Sequence, residues 1–242
     1  VQEANAAGAP LRSVFESLSG DLGRKPNSIR NYYYACLRQK PDAAFLRATP
    51  FTAFTPEETA KILECGKRYG LRPKIHANEL ASSGGVQVGI EYGALSVDHL
   101  EEANEQDVQD LKHSSTIPTV LPGASFFSNL PFAPARRMID EGLAVAVASD
   151  CNPGSSPSGN MMFLWSLACI KMRLTPEEAL SALTINGAAA LGLSADRGAI
   201  SVGRRADLVV SKPVPSLAYL PYSFGEELVE QTIVGGRKGD MR

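Results

Sequence analysis

Three side chains occupy positions from which metal-assisted hydrolysis could be run. His76 closes the apolar segment RPKIHA (72–77), His99 closes ALSVDH (94–99), and Asp150 closes LAVAVASD (143–150). Neutral imidazoles and carboxylates are the ligands of catalytic zinc and iron sites, which leave one coordination position for water. A divalent cation at such a site lowers the pKa of that water and polarises a carbonyl, and a further carboxylate or imidazole relays the proton. Each residue also has a plainer reading. His76 alone reads first as a core histidine held by a backbone partner, and His99 carries the same ambiguity. Asp150, standing before Asn-Pro-Gly, is ordinary turn chemistry. The spacing of the three is no local motif, so the case for a metal rests on their shared place at strand ends. The third histidine, His113, falls near a helix C-terminus, where it interacts with the helix dipole and receives no catalytic role.

Two loops extend the chemistry. NPGSSP (152–157) offers backbone N–H groups and hydroxyls that could receive an anionic group, or it is a plain connection to the next helix. LPGASFFSNLPFAP (121–134), rich in aromatics and prolines, reads as a rigid rim loop that lines a pocket or merely connects.

The elements that must position these residues alternate regularly. Thr55-Pro56-Glu57-Glu58 is a capping box with proline at the first helical position, and Gly70 closes that helix. Strand 72–77, a helix over about 85–93, strand 94–99, helix 101–114, strand 116–123, helix 133–142 and strand 143–150 follow. Two more helices are expected at about 160–171 and 175–191, the second opened by the capping box Thr175-Pro176-Glu177-Glu178. Strands alternating with helices of this length imply βαβ units and a parallel sheet. In such folds the chemistry sits at the carboxyl ends of the strands, where His76, His99 and Asp150 fall. GAISVGRRADLVVSKP (198–213) and LVEQTIVGGRKG (228–239) read instead as short strands around glycine turns, a small β-module at the tail.

The totals fit an ordinary globular protein: 242 residues, 44% hydrophobic, 21% charged and a net charge of −2. That charge gives no general affinity for polyanions. No apolar run approaches the roughly 18 residues that span a membrane, and the first residues carry no export signal. Four cysteines without a CxxC pair read as free thiols, and the expected location is the cytoplasm.

At this point several stretches become diagnostic together: KIHANE (74–79), LSVDHLEE (95–102), TVLPGASFF (119–127), LPFAPARRMIDEGLAVAVASDCNPGSSPSGNM (130–161), LTPEEALSALTINGAAALGL (174–193) and LPYSFGEELVE (220–230). They resemble, in order and over residues 52–236, the imidazolonepropionase family of the metal-dependent amidohydrolase superfamily. The resemblance implies an α/β fold, part of a TIM-type (β/α)8 barrel with strands five to eight present, and a small β-sandwich at the C-terminus. It implies hydrolysis of 4-imidazolone-5-propanoate to N-formimidoyl-L-glutamate, in histidine degradation, with one divalent metal, zinc or iron. Carried over by residue, His76 and Asp150 are the metal ligands, and Asp150 also shuttles the proton. Glu79 contacts the substrate ring and helps activate the water, and His99 polarises or orients at the reacting carbon. Asn152, Gly154 and Ser155 hold the propionate arm. The family's other two metal ligands form a His-x-His pair, which occurs nowhere in these 242 residues, and Ser223 stands where a histidine is expected.

The expected organisation is therefore a helical segment over 1–40, a linker over 41–51, the partial barrel over 52–197 and the β tail over 198–242. Within 1–40, PLRSVFESLSGDLG followed by RKPNSIRNYYYACLRQK reads as helix, turn, helix and resembles the small helix-turn-helix segments of some bacterial sporulation-type regulators. Arg24, Lys25, Arg30 and Arg38 could meet phosphates and Asn31 a base; a basic, solvated helix pair is the other reading. Any DNA contact would be confined to this segment. The expected partners are a small-molecule substrate and either further copies of the chain or a complementing N-terminal half. Activity of the isolated chain is expected to be incomplete. The alternatives are another amidohydrolase acting on a cyclic amide or a deaminase substrate, or a non-catalytic fragment fused to a DNA-binding segment.

Overall fold

The computed structural model describes residues 54–239. The helical segment expected over 1–40 and the linker over 41–51 lie outside the described residues. The first helix, α1 (Pro56–Arg68), begins at the predicted capping box: the Thr55 hydroxyl accepts from the Glu58 N–H at 3.2 Å, and the Glu58 carboxylate accepts from the Thr55 N–H at 3.1 Å. Then come β1 (Ile75–Ala77), α2 (Gly85–Glu91), β2 (Ser96–His99), α3 (Glu105–Lys112) and β3 (Ile117–Val120). These are followed by α4 (Pro122–Phe127), α5 (Ala135–Asp140), β4 (Ala146–Val147), α6 (Met161–Ile170), α7 (Pro176–Leu183) and α8 (Ile185–Ala190).

The four strands form one parallel sheet in the order β1-β2-β3-β4, each paired with its neighbour in sequence. This is the expected part of a (β/α)8 barrel. Register places His76, Asp98, Thr119 and Ala146 in one row across the sheet. The alternate residues Ile75, Ala77, Val97, Val120 and Val147 enter the apolar core with Val86, Val108, Leu111 and Met138 from the helices. The second capping box also forms, with Thr175 and Glu178 bonded reciprocally.

Three sequence expectations change in detail. The helix expected over 175–191 is two helices, because Thr184 leaves helical geometry (φ −117°, ψ −85°) and turns its hydroxyl back onto the Leu180 carbonyl. The rim loop over 121–134 contains α4, begun by Pro122 at the first helical position. The helix expected from residue 101 starts instead after Asn104, whose side chain caps it. Glu101 is thereby left outside the helix and buried.

The tail forms a three-stranded antiparallel sheet, β5 (Leu208–Ser211), β6 (Val229–Val234) and β7 (Arg237–Lys238), with the short helix α9 (Tyr219–Tyr222) between its first two strands. Gly235 and Gly236 turn β6 into β7 with φ of 57° and 78°, the left-handed pair that a tight hairpin requires. Asp207 accepts the Gly235 N–H at 2.6 Å.

A half-exposed ion pair ties α5 to the start of α7. Arg136 holds Glu178 through two nitrogens, at 2.6 and 3.0 Å, and the Arg136 hydrogen bond keeps the Glu178 carboxyl below its ordinary pKa. A depressed carboxylate contributes stability that is present above its unfolded value of 4.5 and lost as the pH falls through its folded value. At this exposure the pair contributes at most about 1 kcal/mol. Glu178→Gln is therefore expected to flatten the acid limb of a plot of stability against pH below 4.5. Denaturant unfolding between neutral pH and the acid limb reads this directly, and an unchanged acid limb would remove the pair's role.

Candidate metal centre

β1 alternates: Ile75 and Ala77 are buried in the core while His76 faces the other side of the sheet. Strand geometry alone would not bring His99 to it. Residues two apart in a strand share a face, so a regular β2 would send His99 into the helix-side core after Val97. The backbone prevents this, because His99 and Leu100 both adopt positive φ, 85° and 71°. Leu100 takes the core position, and the His99 ring swings over to His76 with ring centroids 4.6 Å apart. Left-handed conformations at non-glycine residues cost about 1–3 kcal/mol each and persist only where the surroundings enforce them. Asn78 (φ 55°) and Asp150 (φ 47°), at the ends of β1 and β4, share the property.

Asp150 reaches the same point from the loop after β4. Its neighbours hold the loop: the Ser156 hydroxyl donates to the Ser149 carbonyl at 2.7 Å, and the Asn152 N–H donates to the Ser156 carbonyl at 2.9 Å. Gly123 lies so close beneath that a Cβ there would stand 2.9 Å from both the Ser156 hydroxyl and a Leu164 methyl. Only glycine lets α4 pack this near the Asp150 loop.

The result is a compact cluster in which His76, His99 and Asp150 each offer a ligand atom, all within 4.8 Å of one another. His99 Nε2 stands 3.1 Å from His76 Nδ1, 3.7 Å from Glu79 Oε2 and 4.0 Å from Asp150 Oδ2. Four of the predicted residues thus converge. Burial lowers the pKa of His99, but the hydrogen bond to Glu101 and the charges of Glu79, Glu101 and Asp150 outweigh it, and the net shift is upward.

The loop residues sit next to the cluster with their donors internally occupied. The Gly154 and Ser155 N–H groups donate to Asn152 Oδ1 at 2.7 and 2.9 Å, and the Ser155 hydroxyl lies 3.3 Å from Asp150 Oδ2. His113 caps α3 at a distance from this site and bonds the Gln109 carbonyl, as its helix-end position predicts.

Several residues of the site escaped sequence reading. Glu101, with no exposed side-chain surface, lies against the other ring nitrogen of His99. Asp98 faces His76 Nε2 at 3.9 Å and Lys74 at 3.7 Å. Buried Asp107 accepts from Asn78 Nδ2 and Gln87 Nε2 at 2.8 and 2.9 Å, fixing the residue from which the Glu79 loop departs. A carboxylate two residues after a strand-end histidine was the one signal in the sequence.

The amidohydrolase family model matches residues 42–238. The chain belongs to the amidohydrolase family. Among curated relatives, this amidohydrolase is 50% identical over 184 residues to the imidazolonepropionase of Flavobacterium johnsoniae, covering 76% of this chain and 45% of that protein. It is 44% identical over 184 residues to the imidazolonepropionase of Geobacillus thermodenitrificans, covering 76% and 43%. The chain thus spans less than half the length of these relatives. In fold, the amidohydrolase is similar to an adenosine deaminase from Xanthomonas campestris with bound zinc, with a TM-score of 0.65 at 18% identity over 77% of this chain and 49% of that one. It is likewise similar to the guanine deaminase of E. coli, with a TM-score of 0.63 at 18% identity over 78% and 52%. No helix among the described residues is long and apolar enough to cross a membrane.

Proposed function

We propose that this chain carries one part of an imidazolonepropionase-type active site, which opens the ring of 4-imidazolone-5-propanoate to N-formimidoyl-L-glutamate with water and a divalent metal. The observation that carries the reading is the convergence of His76, His99 and Asp150 at the carboxyl end of a parallel amidohydrolase sheet. Relatives named imidazolonepropionase at 43–50% identity favour this substrate over other cyclic amides. Two imidazoles and a carboxylate are the donor set of zinc and non-haem iron, so the residues present fit such an ion. His76 and Asp150 would hold it, and when bound it supplies Lewis acidity and an acidified water.

The chain's own residues do the rest. Asp150 and Glu79 are the carboxylates within reach of the reacting centre that can accept the water's proton. Asp150 returns that proton to the ring nitrogen as the carbon–nitrogen bond opens. His99 Nε2 faces both carboxylates and, as an acceptor, orients the attacking water at the reacting carbon. The propionate arm is received by the loop at Asn152, Gly154 and Ser155, where the carboxylate takes over the N–H groups now bonded to the Asn152 carboxamide.

The His-x-His pair that the resemblance calls for occurs nowhere in the sequence. We therefore assign full catalysis to an assembly in which another polypeptide segment supplies it. The test is metal analysis with an imidazolonepropionate hydrolysis assay on the full chain, alone and mixed with a polypeptide carrying that pair. Stoichiometric metal that disappears in His76→Ala, with hydrolysis in the mixture, is the expected result. A chain that takes up neither zinc nor iron in either setting would overturn the reading.

A further inference from the structure

The far side of His99 is built as carefully as the side that faces the reaction. Its Nδ1 lies between the two carboxylate oxygens of Glu101, 3.5 Å from Oε1 and 3.3 Å from Oε2. Both side chains are closed to solvent, at 2% and 0% exposure. Ser125, on α4, donates its hydroxyl to Glu101 Oε1 at 2.8 Å. Of its two acceptors the Ser125 hydroxyl stands much closer to Glu101 than to the Leu121 carbonyl at 3.4 Å, and a carboxylate that accepts from Ser125 is also an acceptor towards the ring. Among the described residues, Oε2 has no hydrogen-bond partner, and His99 Nδ1 stands 3.3 Å from it.

The left-handed pair His99–Leu100 makes this arrangement possible. It reverses the chain sharply enough that residues 99 and 101 face each other. Without it, Glu101 would enter the exposed first turn of a helix, as the run EEANEQD suggests.

From this geometry we infer that Glu101, held by Ser125, is a positioning residue that fixes His99 in the Nδ1–H tautomer and presents the Nε2 lone pair to the centre. The opposite tautomer would aim the Nδ1 lone pair at two carboxylate oxygens in a space closed to solvent, leaving a buried acceptor facing buried acceptors. On the Nε2 side stand His76, Glu79 and Asp150, at 3.1, 3.7 and 4.0 Å. With Nδ1 protonated, the imidazole keeps one defined orientation towards whatever occupies the cluster. Ser125 makes the clamp a link between strands, since it joins the end of β2 to the helix that follows β3.

The inference deepens the proposed hydrolase reading, but the tautomer itself does not depend on that reading. The test is long-range ¹H–¹⁵N correlation spectroscopy of the full chain, ¹⁵N-labelled, on the alkaline side of the ring titration, where imidazoles are neutral. With only three histidines in the sequence, His76→Gln and His113→Gln suffice to assign the His99 signals. The expected signature is a protonated nitrogen at δ1 and an unprotonated one at ε2. Glu101→Gln, which keeps size and the Ser125 contact, is expected to convert it to a mixture of tautomers while the backbone amide spectrum stays folded. Ser125→Ala is expected to loosen it partly, and serves as the readout if Glu101→Gln fails to fold. A wild-type His99 protonated at ε2, or a tautomer unchanged in whichever of the two variants folds, would overturn the inference. If the tautomer is as expected and no hydrolysis is found in any assembly, the functional proposal fails and the positioning role stands.

Discussion

Asp150→Asn is expected to strip the centre of bound metal and lower hydrolysis in any active assembly by about 10²–10⁴-fold, with the fold unchanged. Asparagine is the right substitution for a physical reason. Residue 150 has a φ of 47°, a conformation that asparagine tolerates better than alanine does. Its carboxamide oxygen can still accept from the Ser155 hydroxyl, now 3.3 Å from Asp150 Oδ2. What the variant loses is the negative charge and the ability to take up a proton, which are the two properties assigned to Asp150. Metal content and thermal unfolding, measured on the same preparation, separate loss of the ligand from loss of the loop. Retention of full activity by Asp150→Asn would remove Asp150 from the mechanism.

Asp107→Ala is expected to destabilise the protein by about 2–4 kcal/mol. The carboxylate is only 1% exposed and accepts from Asn78 Nδ2, Gln87 Nε2 and the Asn104 N–H, all within 2.9 Å. Truncation leaves buried Asn78 without its acceptor and removes half of the capping box of α3. Alanine's better helix propensity returns about 0.5 kcal/mol, too little to compensate. For a domain of this size the loss corresponds to a fall in Tm of roughly 5–15 °C. Asn78 also stands in a left-handed conformation (φ 55°) directly before Glu79, and its Oδ1 accepts from the Ser83 N–H. The Glu79 loop should therefore lose order before the sheet does, visible as faster amide exchange over residues 79–84. A Tm within a degree of wild type would contradict the network's role.

These two sites differ in how far the sequence disclosed them. Asp150, His76 and His99 were legible because each ends an apolar run, and a parallel sheet places all such ends at one edge. Both Thr-Pro-Glu-Glu capping boxes were legible because the motif is local and its bonds involve only neighbouring residues. Glu101 was not. Its polar neighbours continue smoothly into α3, and nothing in the residue types of His99 or Leu100 announces a positive φ. That conformation is imposed by the core seat of Leu100 and the clamp on His99, contacts between segments that no single window contains. Asp107 was hidden for a similar reason, since an aspartate in the first turn of a helix ordinarily faces water. Pro122 did carry a usable signal for α4, but the aromatics around it suggested a rim.

The order of the sheet also bears on how the protein is put together. Each strand lies beside the one before it, with paired residues such as Ile75 and Val97, Val97 and Pro118, and Thr119 and Ala146 only 22, 21 and 27 positions apart. Such short loop closures let the sheet grow by adding one strand–helix unit to an existing edge. The cluster, however, draws on the first, second and fourth strands. A chain emerging during synthesis with three units docked already has most of its sheet and both histidines in place, yet it lacks Asp150 and the loop that follows. The candidate metal cluster is therefore completed only when β4 docks, and an intermediate that has stalled before that step would have most of its parallel sheet but not the cluster.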